Sequence, residues 1–137
     1  DVRGVATSGW RGRSFSLGIA DAVTILARDA AGADAAATLV ANALDLPDHQ
    51  GIARVPARDL DPQSDLGSRL VTRGVGALSQ DEIARALASG ATEAERLIAC
   101  GAICAAALHL AGATRIVGSL PLAGDTKRHR LIQGMGA

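Results

Sequence analysis

The chain is almost without aromatic side chains: one Trp, one Phe and no Tyr in 137 residues. Rings are ordinarily the bulkiest pieces of a core. Alanine takes their place here, with 29 residues. A core of that composition closes only if its layers approach closely on small side chains. The same scarcity narrows function. Stacking on unpaired bases needs several exposed rings, so single-strand and RNA binding are excluded. Charge agrees: 14 Lys plus Arg balance 14 Asp plus Glu. A strongly basic nucleic-acid surface and an acidic disordered tail are both ruled out. The length and the 48% apolar content suit one compact domain.

The longest uncharged apolar run, Leu97 to Leu108, is 12 residues. A membrane span needs about 20, so this run reads as a buried helix. Cys100 and Cys104 would then lie one turn apart as small core residues. Two cysteines are too few for a disulfide framework and fit a reducing compartment. No signal peptide is visible, and the expected location is cytoplasmic. His109, inside the same run, reads as a core or helix-end histidine.

Periodicity and turn chemistry give the order of elements. Val2 to Ala6 reads as a strand broken by Thr7-Ser8-Gly9. Trp10 to Gly18 is a polar, basic loop carrying Arg11 and Arg13. Ala22 to Ala27 is a buried strand. Ala33 to Leu44 is a helix, apolar nearly all round, that Pro47 ends. A Pro- and Asp-rich loop follows, with a short strand near Ile52–Val55 and another at Arg69–Thr72. Ser79-Gln80-Asp81-Glu82 is a capping box opening a helix that Gly90 stops. Thr92 to Glu95 is a second one, opening a helix to about Ala111. Thr114 to Val117 is a last strand. The fold class is α+β: a mixed or antiparallel sheet, holding Val2–Ala6, Ala22–Ala27 and Arg69–Thr72, layered with helices. Residues 1–118 form the lobe, and 119–137 a tail or peripheral flap.

Several motifs fail on spacing. Gly118, Gly124 and Lys127 miss the phosphate-loop pattern. Asp59, Asp61 and Asp65 begin like a calcium loop, but Ser64 and Leu70 occupy its Gly and Glu positions. His49, His109 and His129 lack metal-type spacing. Two features survive. The Thr7-Ser8-Gly9 turn offers amides and hydroxyls to a phosphate or carbonyl, with Arg11 and Arg13 nearby for an anion. Asp34 and Thr38 lie four apart, on one helix face, as a hard-oxygen pair suited to Mg²⁺. From the residues alone, an ordinary turn and a helix-end carboxylate are the favoured readings of the two.

In order and spacing, Ala6-Thr7-Ser8-Gly9, the strand Ala22 to Ala27, and Asp34 to Thr38 resemble the ApbE superfamily of FAD:protein FMN transferases. Gly18 to Thr24 and Gln63 to Gly67 resemble an uncharacterised branch of it, and that likeness runs from Val2 to Gly118. The resemblance implies a T-fold-like lobe with FAD or FMN as ligand and Mg²⁺ as cofactor. It implies Asp34 and Thr38 as metal ligands, and Thr7, Ser8, Gly9, Arg13 and Asp21 around the flavin. The transferases carry a His-x-x-Asp-Pro-x-Thr-Gly stretch after the turn. Here it reads Ser16 to Ala22, and only Asp21 is placed to correspond. Whether the chain transfers FMN or only binds a flavin or similar phosphorylated ligand stays open. So does a non-catalytic or structural lobe that assembles with a partner.

The superfamily has a further half before the Thr-Ser-Gly strand. Asp1 therefore reads as a cut end. Leu39, Val40, Leu44, Leu97, Ile98 and Ile103 are too many for a small sheet to bury. A second surface, either the missing N-terminal lobe or another copy in a homo-oligomer, is expected to cover them. The pocket is expected at that junction, beside Thr7–Gly9 and Asp34.

Overall fold

The computed structural model describes residues 1–119. Six strands and three helices follow in the order β1 (Gly4–Ser8), β2 (Ala22–Ala27), α1 (Ala30–Ala43), β3 (Ile52–Pro56), α2 (Ala57–Leu60), β4 (Leu70–Val75), α3 (Gln80–Ala99), β5 (Ala105–Leu110) and β6 (Ala113–Gly118). Four strands make one antiparallel sheet in the order β1-β2-β5-β6; β3 and β4 make a separate antiparallel ribbon. The fold is α+β, with helices α1 and α3 layered on one face of the sheet. No helix among the described residues is long and apolar enough to cross a membrane.

The strand Ala22–Ala27 falls where its apolar run places it, alternating half-buried and buried along its length. The first strand begins and ends two residues later than expected. Thr7 and Ser8 belong to it, paired with Thr24 and Val23, and the turn starts at Gly9. The expected sheet partner at Arg69–Thr72 is β4, and it pairs with β3 instead. Its place beside β2 is taken by β5, which the sequence reading made part of a helix.

That substitution has one cause, the single helix α3. Gly90 does not stop it. A Cβ there would meet Leu108 Cδ2 at 2.8 Å and Leu44 Cβ at 2.9 Å, so glycine lets α3 approach the sheet and α1 closely. Thr92 is interior, its hydroxyl donating to the Ala88 carbonyl at 3.0 Å. The buried residues Ile83, Ala86, Leu87, Gly90, Ala91, Ala94 and Leu97 form one continuous stripe. The helix ends at Cys100 and Gly101, where φ is +80°. Gly101 N–H donates to Ile98 O at 3.0 Å and Ala102 N–H to Leu97 O at 2.9 Å, the paired bonds of a Schellman terminus. Cys100 is therefore an exposed helix cap and Cys104 a half-buried residue before β5, not two turns of one helix. His109 lies on a strand.

Helix α1 starts earlier than expected because Asp29 caps it, its carboxylate accepting from Gly32 N–H at 2.6 Å. Only one face of α1 is buried, through Ala33, Ala36, Ala37, Val40 and Ala41. Val40, Leu44, Leu97 and Ile103 are sealed in the core and Ile98 is half-buried; Leu39 remains 48% exposed. The sheet and ribbon thus cover more of the helices than their composition suggested. Arg54 ties the ribbon to the lobe, donating to Leu17 O (3.0 Å), Asp45 Oδ1 (2.6 Å) and Leu46 O (3.2 Å). Thr72 assists, its hydroxyl donating to Gly18 O at 2.6 Å.

Candidate functional site

Side chains alternate across the sheet. Gly4 and Ala6 of β1 turn toward the helices, whereas Val5 and Thr7 turn to the other face, which no described element covers. By register, Val5 lines up with Leu26 and Ala105, and Thr7 with Thr24, Ala107 and Ile116. Ala22, His109 and Thr114 form the next row. Large apolar side chains stand exposed on the two edge strands of this open face, Val5 (61%) on β1 and Ile116 (43%) on β6. The end toward Ser8 and His109 is polar. Thr7 and Thr24 share a hydroxyl hydrogen bond of 3.1 Å, and His109 Nδ1 pairs with Thr114 Oγ1 at 2.8 Å.

Asp21 organises the polar end. Its backbone N–H donates to His109 O at 3.0 Å. One carboxylate oxygen, Oδ2, accepts from Ala111 N–H at 2.8 Å. The other accepts from the Trp10 indole Nε1–H at 3.2 Å and faces Arg11 Nε at 3.2 Å. The Arg11 guanidinium carbon lies 4.9 Å from the centre of the Trp10 ring, a cation–π contact. Gly9 backs onto the Asp21 carbonyl, leaving no room for a Cβ. A loop from one hairpin is thus pinned to the turn of another through a single carboxylate.

The structure brings Thr7, Gly9 and Asp21 to this end of the sheet, with Ser8 at the strand end between them. Arg13 is in the same loop and exposed. Asp34 and Thr38 are elsewhere. Both are exposed on α1, which packs on the opposite face of the sheet from Thr7. Thr38 Oγ1 donates to the Asp34 carbonyl at 3.3 Å. The expected pocket beside both groups is therefore divided between two layers of this chain. As donors, the Asp34 carboxylate and the Thr38 hydroxyl are hard oxygens that Mg²⁺ accepts. They are a partial set: among the described residues no group of three or more His, Cys, Asp or Glu side chains gathers at one point. Mg²⁺ held there would keep waters and ligand oxygens in its remaining positions.

Trp10, Thr24, His109 and Thr114 were not singled out as site residues from the sequence. Trp10 carried a signal, because it and Phe15 are the chain's whole aromatic content and flank two arginines in one polar loop. The other three are joined only by strand register. A second polar cluster sits away from the sheet face. His49 Nδ1 accepts from Gly51 N–H at 2.9 Å, and its Nε2 meets Glu82 Oε2 at 2.5 Å. Glu82 also accepts from Ser79 N–H at 2.8 Å, which lowers its carboxyl below the ordinary value, with help from the Ser79 hydroxyl and His49. Both ring nitrogens of His49 are engaged, so this cluster joins a loop to a helix end.

A two-layer α+β lobe with one uncovered sheet face and an Asp-held Trp-Arg loop at its polar end is the class these features define. The chain belongs to the AbpE bacteria family, whose model matches residues 1–116. No curated protein and no solved structure matches it.

Proposed function

We propose that this chain is an ApbE-like lobe that binds a flavin nucleotide, FAD or FMN, or a similar phosphorylated ligand together with Mg²⁺. The observation that carries the reading is the anchored Trp10–Arg11 pair beside Thr7 and Thr24. An aromatic face and a guanidinium together suit a flat ring that bears an anion. The resemblance at Thr7–Gly9 and Asp34–Thr38, and membership of the AbpE bacteria family, support it. Mg²⁺ would supply charge neutralisation to phosphate oxygens; the resemblance assigns it to Asp34 and Thr38, which in this chain lie across the sheet from the Trp10–Arg11 pair. If the chain turns a substrate over, the reaction class is flavin-phosphate transfer.

The test is calorimetric titration of the chain with FAD, with and without MgCl₂. Binding should require Mg²⁺. Asp34→Ala should remove that requirement's benefit, weakening binding about tenfold or more, while the circular dichroism of the fold stays unchanged. Equal affinity with and without Mg²⁺ sinks the metal assignment.

A second reading has its own observation. The open sheet face exposes Val5 and Ile116 on its two edge strands. In this reading the chain is a structural lobe completed by a partner surface, a further lobe or a second copy of the chain.

A further inference from the structure

Arg11 is unusual among the exposed arginines in how it is held. Its Nε faces the Asp21 carboxylate at 3.2 Å, and its flat guanidinium sits over the Trp10 ring. Asp21 is itself fixed to the β5–β6 hairpin, by Ala111 N–H at 2.8 Å and by its own amide on His109 O at 3.0 Å. Ala111 provides that N–H from a left-handed conformation, φ +49°, the one non-glycine residue of the described chain with positive φ. Such backbone costs an alanine about 1 kcal/mol and persists only where its surroundings hold it. The side chain of Arg11 is nevertheless 69% exposed. Its terminal amino groups make no hydrogen bond to the described residues. Arg13 stands exposed two residues on, so the loop carries two positive charges against one carboxylate.

We propose that Arg11 is the phosphate-recognising arm of the site and that Asp21 is its positioning residue. This rests on the ligand-binding reading above and narrows its ligand to a phosphomonoester borne by a flat heterocycle. A guanidinium restrained at Nε and on one face keeps its outer edge for two parallel bonds to an oxyanion. The restraint removes side-chain entropy that an unanchored surface arginine would lose on binding. Arg11 therefore sets a preference for FMN over riboflavin, which shares the ring system and lacks the phosphate.

Trp10 is the chain's only tryptophan, so its fluorescence reports on this loop alone. The experiment titrates the full chain, in the presence of MgCl₂, with FMN, riboflavin and AMP, and repeats each titration on Arg11→Gln and Arg11→Lys. FMN should quench Trp10 at a concentration about tenfold or more below riboflavin, the size of a charge-assisted pair. Arg11→Gln should weaken FMN far more than riboflavin and so erase that difference; Arg11→Lys should retain part of it. Asp21→Asn should shift Trp10 emission in the free chain and reduce the FMN preference, and Asp21→Glu should recover some of both. An FMN preference that survives Arg11→Gln overturns the arm and leaves the flavin reading standing. Quenching by AMP but by neither flavin, lost in Arg11→Gln, overturns the flavin reading and leaves the arm. Silence of Trp10 toward all three overturns both.

Discussion

Gly90 shows how one side-chain-free position decides two packing contacts at once. It sits inside a long helix, where alanine would gain about 1 kcal/mol of propensity. Its missing Cβ is the space into which Leu108 and Leu44 fit. Leu108 can yield, because the contact is with a terminal methyl. Leu44 cannot, because the contact is with its own Cβ. Overpacking costs about 1–3 kcal/mol, and with a Cβ that cannot yield it falls above the low end of that range and exceeds the propensity gain. Gly90→Ala should therefore lower the stability read from urea unfolding, by up to about 2 kcal/mol. A variant as stable as the parent, or more so, would show that α1 and α3 separate freely. The same glycine explains where sequence reading went astray. Among apolar neighbours, a glycine after ten helical residues reads as a terminator, since close approach to a strand some twenty residues later leaves no local mark. Asp21 was legible for a different reason: it matched a family pattern. Its four bonds were not, because they run to residues on separate hairpins.

At the scale of the element, the start of α3 was legible and its end was not. Ser79 and Glu82 form both bonds of the capping box, at 3.1 and 2.8 Å, as their four-residue pattern requires. The other end depends on Gly101 rather than Gly90 or Gly112, and Ala105–Leu110 is too short a run to separate strand from helix by pattern. The strand β2, with its three β-branched residues, had no such ambiguity. The capping box also sets a pH response. The Glu82 carboxyl lies below its ordinary value of 4.5 because Ser79 N–H favours the charged form, as does His49. A depressed carboxylate stabilises the fold fully above its unfolded value. That contribution falls away as pH drops below about 4.5 and through the lowered value. Glu82→Gln should thus be less stable than the parent at pH 7 and converge on it as pH falls through that range. Thermal melts at several pH values check this; parallel curves would assign the pairing no net effect.

For the whole molecule, the expectation of an uncovered apolar surface moved from one layer to another. The helices lost most of theirs to the sheet and the ribbon, and Leu39 is the main exception. The far face of the sheet gained one instead, at Val5 and Ile116. Composition could not assign the side, because strands of Ala, Val and Thr are short of bulk on both faces. If a second copy covers this face, analytical ultracentrifugation should show association that strengthens with concentration. Val5→Lys together with Ile116→Lys should abolish it, since two unpaired charges would be desolvated at the contact. A monomer at every concentration would remove self-association from the readings.

The order of the large sheet carries a consequence for how the chain reaches this state. Its two central strands pair Ala22 with His109 and Leu26 with Ala105. The partners are 109 − 22 = 87 and 105 − 26 = 79 residues apart. At a synthesis rate of about 5–20 residues per second, β2 waits roughly 4–17 s on the ribosome with that edge unmatched. Closure over such a separation is slow even in the finished chain, because loop entropy is lost before the contact forms. During that interval Val23 and Ile25 belong to a hairpin with one bare side, the configuration most open to pairing with a neighbouring chain. The later-made strands β5 and β6 therefore govern whether the nascent protein folds alone or aggregates.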